Sequence, residues 1–262
     1  MNIEIIGPGR AGGALAIAAH RAGHRIVSIR GRDPKRINAL DAIVMASPGP
    51  ADLRIIAVSD RAISVVASSL ATEPPVATVH VSGAIGVEAL APLAAAGASV
   101  GSFHPLQTFP DPARGADALA GSWIGITSDE PLRGVLGGLA RSLGCTPFDV
   151  ADVDKSLYHA GASAAANFTV ASLGLSRRFL EQAGVPFEAV RPLVEAAVAN
   201  AFAVGPKAAL TGPIVRGDVE TVRSQIDAVT AADGESVEAF KDMNRATAIF
   251  ADAPPDLLEE LS

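Results

Sequence analysis

The sequence predicts an α/β fold, a doubly wound parallel sheet followed by a mostly α-helical C-terminal domain. Three features predict it. Short β-branched runs alternate with alanine-rich, helix-length segments over the first 150 residues, a glycine fingerprint stands at the first strand-to-helix junction, and beyond residue 150 strands give way to long helical segments. With 262 residues, 49% of them hydrophobic and 19% charged, the chain is globular and long enough for two cores. Domains at 1–150 and 151–262 are expected.

The elements follow in order. Asn2 to Ile6 is a strand, Ala11 to Ala22 a helix and Arg25 to Arg30 a strand, which makes a β-α-β unit. Further strands are expected at Ala42 to Met45, Asp52 to Val58, Ala77 to Val81, Ser99 to Phe103, Ser122 to Ile126 and Cys145 to Val150. Helices are expected at Asp60 to Leu70, Gly86 to Ala96 and Pro131 to Leu143. Such alternation implies parallel strands covered on both faces. The second domain reads as helices at Asp154 to Ala183, Pro186 to Gly205 and Val219 to Ala231, and the acidic segment from Ala253 to Ser262 as a loosely held tail.

Composition narrows the function. A formal net charge of -7 argues against the basic surface that a phosphate backbone demands, so nucleic acid is not an expected partner. Cys145 is the single cysteine, and Met1 leads directly into a strand without a signal-like segment, so the cytoplasm is the expected location. The uncharged stretch from His159 to Ser176 is broken by Ser163, Asn167, Thr169 and Ser172, and reads as a soluble helix and not a membrane span. The five histidines and the cysteine lack metal-ligand spacing, and no Gly-x-Ser-x-Gly is present. No metal is expected.

Gly7-Pro8-Gly9-Arg10-Ala11-Gly12 fits G-x-G-x-x-G. Between a strand and a helix, this pattern lets a tight turn form, brings a pyrophosphate close to the backbone and aims the helix N–H groups at it. Cofactor preference depends on the end of the second strand. There Arg30 and Arg32 flank Gly31, where NAD-preferring folds usually place an acid. Guanidinium groups suit a 2′-phosphate, so NADP is favoured over NAD, with Asp33 keeping NAD open. Val58, Ser59 and Asp60 close a strand at the edge where ligands bind in open sheets, although Ser59 also suits a helix cap.

Candidate chemistry lies further on. Ser82 and Gly83 stand at another strand end, suited to a substrate carboxylate or carbonyl, while His80 reads as structural. In His104-Pro-Leu-Gln107, the proline biases His104 towards an extended backbone, so its imidazole is expected to project from a loop with Gln107 beside it. Lys155, His159 and Ser163 share a helical stripe, and Asn167 lies farther round. Lys155, His159 and His104 are the candidate proton donors for a reduced substrate. Thr211 and Arg216 are candidate substrate or partner contacts, and Asp218 a helix cap.

Taken together, the fingerprint, the run His104-Pro-Leu-Gln-Thr-Phe109, the segment from Tyr158-His159 to Asn167-Phe168, and Leu210-Thr-Gly-Pro-Ile-Val-Arg-Gly-Asp218 resemble the Rossmann-like oxidoreductases with a C-terminal helical domain of unknown function. These are relatives, in the 6-phosphogluconate-dehydrogenase-like superfamily, of pyrroline-carboxylate reductase, ketopantoate reductase and the β-hydroxyacid dehydrogenases. The resemblance implies an NADP-dependent reductase of small oxo acids or imines and a homodimer through the helical domain, and that domain is expected to close the substrate crevice. Related dehydrogenases carry Lys-x-x-x-Asn, with lysine as proton donor and asparagine as substrate anchor. Here His159 replaces that asparagine. The alternative from another class is a dinucleotide-binding sensor or scaffold without turnover.

Overall fold

The computed structural model describes residues 1–261, which fall into two compact units, 1–164 and 165–261. In the first, seven strands form one sheet: β1 (Asn2–Ile6), β2 (Arg25–Arg30), β3 (Leu53–Ile56), β4 (Ala77–His80), β5 (Val100–Leu106), β6 (Trp123–Ser128) and β7 (Thr146–Asp149). Their order is β2-β1-β3-β4-β5-β6-β7. The helices are α1 (Arg10–Arg21), α2 (Pro34–Val44), α3 (Ile63–Leu70), α4 (Ala91–Ala95), α5 (Pro112–Leu119), α6 (Leu132–Ser142) and α7 (Lys155–Ser163). The α/β class expected from the alternation is borne out.

The two-residue period of β1 explains the layering. Ile3 and Ile5 join Leu15 of α1, Leu40 of α2, Ile55 and Val79 in one core. Ile6 on the opposite face joins Ile56 and, from α3, Ile63, Ala67 and Leu70. Two expectations fail here. The run Ala42 to Met45 is not a strand: α2 continues to Val44 and ends in a left-handed Met45, after which Ser47 N–H makes a single bond to the Ile26 carbonyl beside β2. The sheet is also not wholly parallel. β6 runs antiparallel to β5, because the linking segment leaves the sheet to pack α5 on α1 and Trp123 re-enters opposite Leu106, the last residue of β5. A parallel return would begin opposite Val100.

Glu4 is a carboxylate inside the sheet, in register with Arg54 on β3. Arg54 Nε donates to Glu4 at 2.6 Å and its Nη2 to Glu73 at 2.8 Å, while Arg30 donates to both Glu73 oxygens at 3.0 and 2.9 Å. Two acids and two arginines therefore neutralise one another under β1. Removing Arg54 leaves the buried Glu4 carboxylate with only the longer 3.4 Å contact to Arg30. Arg54→Met is expected to destabilise the protein by about 3–5 kcal/mol, read from urea unfolding, whereas the pair replacement Glu4→Leu with Arg54→Met recovers most of that loss.

The last strand ends at Asp149, and α7 extends the first unit because Lys155 is anchored in it. A π-helical turn, Ala164–Phe168, follows. The second unit is helical, with α8 (Thr169–Gln182), α9 (Arg191–Val204), α10 (Pro206–Ala209), α11 (Pro213–Arg216), α12 (Val219–Ala232), α13 (Val237–Phe250) and α14 (Pro255–Glu260). Asp218 caps α12, as its position suggested, by accepting from the Thr221 N–H. The expected loose tail is corrected: Leu257 and Leu261 are fully buried against Ile214, Val222 and Ala248, so α14 docks as part of this core. Ser262 lies outside the described residues. Among the described residues, no helix is long and apolar enough to cross a membrane.

Candidate active site

The first turn has the shape a bound diphosphate needs. Gly7 leaves β1 with φ +98°, and a Cβ on Gly12 would stand 2.2 Å from the Gly7 carbonyl oxygen and 2.9 Å from the Ala57 Cβ. Only bare backbone lets α1 start this close to β1 and β3. A Cβ on Gly9, by contrast, would meet nothing within 4 Å. No side chain caps α1 and no acid lies in its first turn, so its leading N–H groups remain available to an anion. Pro8, Gly9, Arg10 and Gly13 line a cavity of about 290 Å³, with Arg36 and Ile43 of α2 and Pro110 on its other walls. These features fit a dinucleotide, with Ala11 continuing the same turn.

The arginines divide their work differently from the sequence reading. Arg30 is held by Glu73 and Glu4 in the ion cluster, so its guanidinium is already neutralised and is withdrawn as a phosphate ligand. Arg32 is exposed and makes no ion pair among the described residues, and Gly31 packs its bare face over Pro8. Asp33 caps α2 through the Lys35 N–H and pairs with Arg36 at 3.4 Å. Arg36, four residues past Arg32 and on the cavity wall, is a cation that motif reading missed. Val58 is half-buried at the end of β3, and Ser59 and Asp60 are exposed there; the Ser59 side chain makes no cap bond.

A second cluster forms at the carboxyl ends of β4 and β5. Lys155, the first residue of α7, is only 2% exposed. Its ammonium donates to the Ser102 hydroxyl at 2.7 Å and the Ser82 carbonyl at 3.2 Å, tying α7 to both strands. Burial lowers its pKa from the usual lysine value. One turn on, the Tyr158 hydroxyl lies 2.6 Å from His104 Nδ1, and the His159 ring is 6.0 Å from that of His104. Gly83 fills the floor. A Cβ there would stand 2.7 Å from His104 Cε1, 2.8 Å from its Nε2 and 2.8 Å from His159 Cδ2.

The neighbouring groups are fixed by their bonds. The Ser82 hydroxyl accepts from the N–H groups of Ala84 and Ile85, shaping the turn beside Gly83. The Ser82 N–H donates to His80 Nδ1, so the His80 proton sits on Nε2, which donates to the Gly86 carbonyl at 3.3 Å. His80 is thus the structural histidine the sequence suggested. Contrary to expectation, His104 lies within β5 and not on a loop after it, because β4 pairs only as far as Ser102 and leaves an edge free where Pro105, lacking an N–H, is tolerated. Gln107 is committed to its own loop, accepting from the Thr108 N–H and donating to Ala118 of α5.

Lys155, His159, His104, Ser82 and Gly83 are thereby brought together. Ser163 is half-buried at the end of α7. Asn167 lies exposed in the π turn, and Thr211 and Arg216 are exposed in the second unit. Sequence reasoning missed Tyr158 and Ser102. Only the one-turn spacing of Tyr158 from Lys155 could have drawn attention to the tyrosine.

Burial, with smaller contributions from Lys155 and neighbouring histidines, pulls His80 and His104 down to about 4, and burial pushes Tyr158 up to about 12. Both histidines are neutral at pH 7, whereas in the unfolded chain they take up protons near 6.5. The unfolded state therefore binds more protons as the pH drops. Stability is expected to be intact above about 6.5 and to fall steadily between there and about 4; urea midpoints across this range measure it, with a shallower fall in His80→Asn.

Residues 1–105 match the family of Rossmann-like domains, and residues 122–247 match a domain of unknown function, DUF2520. The two matches follow one another along the chain, a Rossmann-like match and then a DUF2520 match. This is the pairing that the resemblance implied, and the contact of His104 with Tyr158 links a residue of the first match to one of the second. No curated protein matches the chain. Among solved structures, the chain is similar to a proposed NADP oxidoreductase from Bacteroides fragilis, with 24% identity, 95% of this chain and 98% of that one covered, and a TM-score of 0.82. It is similar to a reductive aminase from Aspergillus terreus in complex with NADPH and ethyl levulinate, at 17% identity, 99% and 98% coverage and a TM-score of 0.69. An imine reductase from Streptomyces aurantiacus matches at 14% identity, 100% and 99% coverage and a TM-score of 0.68.

Proposed function

We propose that this chain is an NADP-dependent oxidoreductase that reduces a small oxo acid or imine. The observation that carries the reading is the presence, in one unit, of an uncapped glycine turn suited to a diphosphate and a lysine–histidine–tyrosine cluster at the carboxyl ends of β4 and β5. In open α/β sheets that end is where ligands bind. The likeness to a proposed NADP oxidoreductase from Bacteroides, to a reductive aminase from Aspergillus in complex with NADPH and to an imine reductase from Streptomyces supports the choice of cofactor and substrate class.

Gly7, Gly9 and the N–H groups that open α1 would hold the diphosphate, and Arg32 with Arg36 the 2′-phosphate. A bound NADPH would supply hydride. The chain's own part is to supply a proton or hydrogen bond to the atom that gains negative charge, and to keep water from it. His159 and His104 border the bare face of Gly83 and are suited to that task. Lys155 spends two of its three N–H groups on Ser102 and Ser82, so it acts on the site mainly as a fixed positive charge.

Calorimetry tests the cofactor directly. NADPH is expected to bind more tightly than NADH, and Arg32→Ala with Arg36→Ala to weaken NADPH by about 10- to 150-fold, the range of a lost charge-assisted bond, with little change for NADH. Absence of heat for either cofactor overturns the reading. Binding without NADPH oxidation across 2-oxo acids and cyclic imines would favour the sensor instead.

The functional form proposed is a homodimer through the helical domain. α9 carries apolar side chains at most of its positions, yet buries none of them in its own unit: Phe202 is 90% exposed, and Leu193, Val198 and Val204 are also open. So many apolar side chains open on one helix suit an interior, which a second copy would provide. Light scattering is expected to give twice the chain mass, and Phe202→Lys to shift the protein towards monomer.

A further inference from the structure

The bond between Tyr158 and His104 carries more than packing. His104 Nδ1, 2.6 Å away, is the one hydrogen-bond partner of the Tyr158 hydroxyl among the described residues, so it is the acceptor on hand for the phenol proton. The direction matters, since a neutral imidazole has one donor and one acceptor nitrogen, and the partner of one decides the state of the other. We propose that Tyr158 is a positioning residue that fixes His104 as its Nε2–H tautomer: the phenol donates to Nδ1, and the ring presents a neutral N–H over the bare face of Gly83.

Geometry on the other side of the ring agrees. Nε2 stands 2.8 Å from where a Gly83 Cβ would be, so only a glycine leaves this nitrogen free to meet a ligand. The groups facing His104 are Tyr158, His159 and Lys155 from α7 and His80 from β4, and burial among them keeps the ring uncharged at pH 7. Three of those four are cationic or can become so, which disfavours an imidazolium between them. A neutral N–H donates to a developing negative charge without the cost of burying another cation, as neutral histidines do in other enzymes. His104 then serves as a hydrogen-bond donor to a carbonyl oxygen or imine nitrogen, and Tyr158 acts through it. That last step rests on the reductase reading; the tautomer does not.

Nitrogen-15 NMR of the imidazole rings in the cofactor-free protein tests the proposal without any substrate. His104 is expected as Nε2–H at pH 7 in the wild type and as a mixture of both tautomers in Tyr158→Phe, where Nδ1 has lost its donor. Ser102→Ala, which removes one of Lys155's two bonds and leaves the one to the Ser82 carbonyl to seat α7, should keep the wild-type tautomer. An Nδ1–H ring in the wild type, or an unchanged ring in Tyr158→Phe, overturns the proposal. With any substrate the wild type reduces, Tyr158→Phe should lower kcat about tenfold or more and leave the NADPH Kd within about twofold. An unchanged kcat also overturns it. Failure of the wild type to turn over would count against the reductase reading alone, and the ring spectra would still decide the tautomer.

Discussion

One buried ammonium holds the candidate site together. Lys155 takes a carbonyl from the turn after β4 and a hydroxyl from β5, and through these two bonds α7 is seated on the carboxyl edge of the sheet. Everything that α7 contributes, Tyr158 against His104 and His159 beside Gly83, follows from that seat because the helical repeat then sets where each side chain emerges. A fully buried lysine costs solvation, and its lowered pKa records that cost. The return is orientation of three aromatic rings and a positive charge that adds to burial in keeping His80 and His104 uncharged.

The glycines complete the constraint from beneath. Gly12 lets α1 begin against the Gly7 carbonyl and Ala57, and Gly83 lets two histidine rings descend onto main chain. In both places a missing side chain acts as the functional group, one by admitting a helix start and the other by admitting imidazoles. The two sites lie at the same edge of one sheet, which is where a fold of this class collects its ligands.

Much of this was legible in the sequence. The alternation of strand and helix gave the sheet, the fingerprint gave the first turn, and the four-residue step from Lys155 to His159 placed both on one stripe. What failed did so for identifiable reasons. Ala42 to Met45 is apolar in a way that suits either a strand or the end of a helix, and the chain resolved it as α2. His104-Pro105 reads as a loop unless one knows that β5 pairs with β4 only as far as Ser102 and with β6 beyond it. Leu257 and Leu261 sit one helical turn apart in an acidic segment, and the charges around them masked a buried pair. Arg30 was assigned outward because Glu73, 43 residues away, has no local signature. Tyr158 was overlooked because its partner lies 54 residues upstream.

The inward pull on Arg30 has a corollary for coenzyme choice. Its charge belongs to the scaffold, whereas Arg32 and Arg36 stand on the surface with little riding on them structurally. On the proposed reading, discrimination between phosphorylated and unphosphorylated ribose is uncoupled from folding: replacements at these two solvent-facing positions change the coenzyme while the acid–arginine quartet under β1 stays untouched.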